Sequence, residues 1–154
     1  MTEAGPICRF AVIADTHLEP DPAPGTPDSP RSNRRLAAIV DDLRTDPPDF
    51  VIHLGDVVHP LPAVPAYAPA VEAARAILAR IPCPLFICPG NHDIGDKPHD
   101  LMPAATVQTD WQERFETNFG PGHRSVDQAS PSRSAMARAI SRTRCAWSIG
   151  HTST

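Results

Sequence analysis

Residues 85–93 read LFICPGNHD, a short apolar run that passes through Pro-Gly into three chemically capable side chains, Asn91, His92 and Asp93. A four-residue apolar run bounded by proline and glycine is the pattern of a short buried strand. Two earlier stretches share the design. Residues 50–56 read FVIHLGD and residues 7–17 read ICRFAVIADTH. Both suit strands buried on both faces, and both run straight into acids and histidines.

The intervening segments read as helices. Ser29-Pro30 offers an N-cap and a first-turn proline. Leu36, Ile39, Val40 and Leu43 then recur at helical spacing, which predicts a helix over about 31–45, stopped by Pro47-Pro48. Pro60, Pro62, Pro65 and Pro69 mark a loop, after which Val71, Ala74, Leu78 and Ile81 form a second helix face. Trp111–Phe119 reads as a shorter helix in which Trp111 and Phe115 are packing residues, ended by Gly120-Pro121. Strand–helix–strand–helix–strand implies an α/β fold with mostly parallel strands and right-handed crossovers.

The rest of the chain differs. Residues 1–120 hold nine basic and seventeen acidic residues, whereas residues 121–154 hold five arginines, one acid (Asp127) and seven serines. The division is therefore a folded domain over 7–120 and a basic Ser/Arg-rich tail over 121–154, expected to be disordered or read out of frame. No strand-like run stands in the tail, although Arg133 to Arg144 suits a short basic helix with a thin apolar face. Its arginines are expected to be solvated.

With 154 residues the chain suits one core, and 19 prolines place much of it in loops. A net charge of −4 disfavours a specific nucleic-acid or anionic-membrane partner. No apolar stretch is long enough to span a bilayer, and the N-terminus lacks the basic start and cleavage site of a signal peptide. Cys8, Cys83, Cys88 and Cys145 form no CxxC pair. The first three read as buried thiols in a reducing, cytoplasmic setting.

In an open parallel sheet, ligands bind in the crevice beyond the carboxyl ends of the strands. Asp15-Thr16-His17, Gly55-Asp56 and Gly90-Asn91-His92-Asp93 would converge there. Asp15 and Asp56 side by side would repel unless one bound a proton. A divalent cation removes the conflict, and Asp, His and Asn ligands suit Mn, Fe, Zn or Mg. The spacing Asp-x-His sets two ligands on one side of an extended chain.

These three motifs, in this order and each after a strand, resemble the calcineurin-like metallophosphoesterases over roughly residues 7–120. The resemblance implies the N-terminal half of a β-sandwich flanked by helices and a site for two divalent metals. Asp15 and His17 would hold the first metal, Asp56 would bridge both, and Asn91 would hold the second. His92 would be the catalytic acid, and Asp93 would support it. The implied activity is metal-assisted hydrolysis of phosphate mono- or diesters, with a small-molecule or nucleotide substrate. The family pattern continues with an isolated His and then Gly-His-x-His. His99 and His123 follow no strand-like run, and Gly150-His151-Thr152-Ser153 has serine in place of the last histidine. The chain is therefore expected to be truncated, and the alternative is an inactive remnant or binding module holding at most one metal weakly.

His59-Pro60 stand where the family's phosphoprotein phosphatases carry an acid and an arginine, which argues against that branch. Asn33-Arg34-Arg35-Leu36 after Asp15-Thr16-His17-Leu18 is loosely similar to the cyclic-nucleotide phosphodiesterase branch. His53, inside its strand, reads as packed against a helix.

Overall fold

The structure, a computed structural model, describes residues 8–21, 29–95, 106–122, 126–129 and 142–145, the last two segments by backbone alone. Three parallel strands, β1 (Phe10–Ile13), β2 (Phe50–His53) and β3 (Leu85–Ile87), lie in the order β1-β2-β3. Helix α1 (Arg31–Thr45) links the first two and α2 (Tyr67–Leu78) the next two. Both crossovers step the same way across the sheet, so their shared handedness puts both helices on one face.

That face carries the core. Leu36 and Val40 of α1 and Ala70, Val71, Ala74 and Leu78 of α2 cluster with Ile13 and Val51. The predicted helix over 31–45 is matched, but its start is not. Pro30 occupies the N-cap, with no side-chain cap bond, and Ser29 Oγ instead donates to Asp21. Pro69, expected in a loop, lies in the first turn of α2, where its missing N–H is not required. Ile81 falls beyond the helix end.

Among the described residues, the opposite face of the sheet is open along β1, while Phe50 of β2 on that face is buried. Phe10 and Phe50 are paired in register and stack at 5.3 Å, and Phe86 meets Phe50 edge-on at 6.0 Å. Phe10 and Val12 remain about half exposed, at 54% and 52%. The expectation of burial on both faces is thus corrected for the first strand. Composition cannot show whether a second layer covers an apolar face.

One-turn helix α3 (Asn91–Ile94) follows the third strand, and α4 (Thr109–Phe119) packs on it with Phe115 fully buried. Trp111 is also buried, as expected. Arg114 Nη1 donates to the Pro62 carbonyl at 2.7 Å, which ties α4 to the loop before α2.

Two further strands, β4 (Val126–Ala129) and β5 (Arg142–Cys145), pair antiparallel. They correct the reading of the tail as lacking strands, and the last residues of the suggested basic helix are extended. A main-chain ladder needs no apolar run, so the composition gave no sign of it. His99, His123 and Gly150–Ser153 lie outside the described residues. Among the described residues no disulfide involves Cys8, Cys83 or Cys88, and only Cys88 is buried; Cys8 and Cys83 are partly exposed, contrary to expectation. No described helix is long and apolar enough to cross a membrane.

Candidate metal centre

Register places the site. Ile13 pairs with His53 and His53 with Ile87, so the three strands end side by side. The segments that follow start level with one another. Asp15 N–H donates to the Gly55 carbonyl at 3.1 Å, and His17 N–H to the Asp56 carbonyl at 3.0 Å. The first two loops therefore run on as a zipped pair beyond the sheet.

One ligand atom each from Asp15, His17 and Asp56 lies within 4.8 Å of the others. The backbone reaches this by an unexpected route. Asp15, His17 and Asp56 have φ of 52°, 42° and 53°, and among the described residues no other non-glycine has positive φ. The Asp-x-His segment is therefore left-handed at both ligands rather than extended, which corrects the geometry expected from spacing. Such backbone costs of order 1 kcal/mol or more per residue and survives only where surrounding bonds over-determine it.

Those bonds can be named. Asp93, 1% exposed, accepts N–H groups from Asp56 at 2.7 Å, Gly90 at 2.8 Å and Val57 at 3.2 Å. It thus clamps the second loop to the third. Burial pushes its carboxyl up to about 7, against the three donors that favour the carboxylate. With both oxygens bound to backbone, Asp93 acts on Asp56 through position.

Two glycines make the clamp possible. A Cβ on Gly55, at φ +96°, would lie 2.0 Å from Gly90 N. A Cβ on Gly90 would lie 2.2 Å from Asp56 Oδ1. The loops touch backbone to backbone there, and no side chain fits.

His53 ties the first loop from beneath. Fully buried, it accepts the Gly55 N–H at Nδ1, 3.1 Å away, and meets Thr16 Oγ1 at Nε2, 3.0 Å away. Thr16 Oγ1 donates its hydrogen to the Val57 carbonyl at 2.9 Å. His53 must then be the donor, so it is neutral with its proton on Nε2. Burial pushes its pKa down to about 4, in agreement. The expectation of simple packing against a helix gives way to a bonded link between loops.

Around Asp56 stand three imidazoles. The His17 ring centre lies 4.9 Å from that of His92 and 5.9 Å from that of His59, and His59 stacks on His92 at 6.0 Å. Burial first, and then nearby His17, hold His92 below the ordinary histidine range. In the sequence His59 reads only as a branch marker. Its position three residues after Asp56 was the signal that could have placed it in the cluster. Asn91 begins α3 beside His92 and accepts the Gly95 N–H at its carbonyl. Asn33 is spent elsewhere: fully buried, it accepts from Glu19 N and donates to Glu19 O, which fixes the loop after His17. This local role accounts for its place in the sequence without a ligand.

The donor set fits a divalent cation. Two ligand atoms each about 2.1 Å from one ion stand at most about 4.2 Å apart, so side-chain closure of about half an ångström would suffice. His17 Nε2 is 3.8 Å from Asp56 Oδ2, too long for a hydrogen bond. Nδ1 of His17 and Nδ1 of His92 are buried without a hydrogen-bond partner. A buried ring nitrogen left without a partner in this cluster suits a site that gains a cation.

No curated protein matches the chain. The family model for the calcineurin-like phosphoesterases matches residues 8–132. That span covers most of the chain and holds all three strand-end motifs. The α/β sheet with helices on one face corresponds to the N-terminal part of that fold, and the chain belongs to the calcineurin-like phosphoesterase family.

Proposed function

We propose that this chain is a metal-dependent phosphoesterase that hydrolyses mono- or diesters of small molecules or nucleotides. The observation that carries the reading is the convergence of Asp15, His17 and Asp56 within 4.8 Å at the strand ends. These three would hold one divalent cation, and Asp56 with Asn91 would hold a second. Bound there, such cations lower the pKa of water and stabilise the charge of the phosphoryl oxygens. His92 would supply the proton to the departing alkoxide. Asn91 brings a neutral amide, which adds no negative charge opposite an incoming phosphate.

A second reading rests on ligand count. Among the described residues the second metal would have Asp56 and Asn91 alone, which favours a remnant that holds at most one metal, weakly, with marginal turnover. One assay separates these readings: hydrolysis of bis-p-nitrophenyl phosphate by the purified chain with millimolar Mn²⁺. Turnover that falls at least about a hundredfold in His92→Ala supports the enzyme. Marginal turnover that falls further in Asp56→Asn supports the remnant. Turnover indifferent to Asp56→Asn rejects both.

A further inference from the structure

A cavity of about 410 Å³ opens directly beside the metal triad. One wall is the first loop, with Asp15, His17 and Glu19; the other is the start of α1, with Arg31, Ser32 and Arg35. Its volume suits a small molecule rather than a single ion. Ile13, Leu36 and Ile39 supply apolar lining. His59 also borders it, on the triad side.

The two arginines are placed for an anion. They stand four residues apart, on one side of the helix. Both are exposed, and neither has an ion pair with a described acid, whereas Arg9 pairs with Asp46 and Arg80 with Asp41. The charges of the lining point the same way. Asp15 and Glu19 balance the two arginines only while Asp15 has no cation; a divalent ion on the triad leaves the cavity net positive.

We infer that Arg31 and Arg35 form a subsite for a second phosphate group, so that the substrate is a phosphoester carrying another phosphate on a compact scaffold. The inference rests on the proposed metal reading for the position of the first phosphate. Guanidinium forks pair with phosphate oxygens two at a time, and the apolar lining accommodates the carbon frame between the groups.

Calorimetric titration of the Mn²⁺-loaded full chain with glucose 6-phosphate and glucose 1,6-bisphosphate tests it, since the probes differ by one phosphate. The bisphosphate should bind at least about tenfold more tightly. In the double variant Arg31→Gln, Arg35→Gln that preference should fall below about threefold. Both residues are exposed, so the variant should fold. Absence of the preference in the wild type, or its survival in the variant, overturns the subsite. Mn²⁺ binding, measured first, judges the metal reading separately. If Mn²⁺ does not bind, the metal reading fails alone. Inorganic phosphate should then still shift the amide resonances of residues 31–35 in the wild type and not in the variant, and no such shift overturns the subsite too.

Discussion

The main-chain N–H of His92 donates to Asp56 Oδ1 at 2.8 Å, which leaves Oδ2 as the oxygen that faces His17. The start of α3 thus decides how the middle carboxylate is presented. The same contact explains Gly90, whose missing side chain leaves room for that oxygen.

Gly90→Ala should therefore disturb both the carboxylate and the contact between the two loops. The new methyl would lie 2.2 Å from Oδ1 and 2.6 Å from the main-chain nitrogen of Asp56, so side chain and loop must both move. Mn²⁺ affinity should fall about ten- to a hundredfold, as for other losses of ligand support. Unchanged affinity in a titration would show that Asp56 is not held this way.

Gly55→Ala should be worse, and for stability. Its Cβ would meet the backbone of Gly90 at 2.0 Å, and the residue sits at φ +96°. Backbone cannot yield as a side-chain tip can. Destabilisation of about 3 kcal/mol or more is expected in denaturant unfolding, and a change below about 1 kcal/mol would contradict the loop contact.

Asp93→Asn keeps the shape but replaces an acceptor-only group with one that also donates. At least one of the N–H groups of Gly90, Asp56 and Val57 would lose its acceptor. The cost should be about 1–3 kcal/mol, with weaker Mn²⁺ binding as Asp56 loosens. A loss of activity with unchanged stability and metal affinity would instead make Asp93 a direct participant in the reaction.

His53 sets an acid limit. Its folded pKa of about 4 lies below the ordinary value of 6.5, so the unfolded chain takes up a proton first as pH falls. The stability it contributes is full above about pH 6.5 and is lost progressively down to about pH 4, to a total of order 3 kcal/mol. In His53→Gln this part of the pH dependence should disappear. An unaltered stability–pH curve between pH 4 and 7 would contradict a buried neutral imidazole.

Much of this was legible in the residues. Apolar runs ending in Asp15, Asp56 and Asn91 located the strand ends, and helical spacing from Leu36 to Leu43 located α1. Period and punctuation are local signals, and the chain carries them plainly. What was not legible depended on partners distant in sequence. The left-handed backbone at Asp15, His17 and Asp56 is imposed by bonds between loops some forty residues apart. The roles of His53 and Asn33 come from which carbonyls and amides they meet, and composition is silent on that. The ladder of Val126–Ala129 with Arg142–Cys145 is a main-chain pairing with no apolar signature.

Asp15, His17 and Asp56 are proposed to hold one metal ion between them. Titration of the full chain with Mn²⁺, with free ion followed by electron paramagnetic resonance, measures this directly. Affinity should fall at least about tenfold in each of Asp15→Asn, His17→Ala and Asp56→Asn. His59→Ala, outside the triad, should remain within about twofold of the wild type. Triad variants that bind Mn²⁺ as the wild type does, or a wild-type chain that does not bind it, would contradict the metal centre.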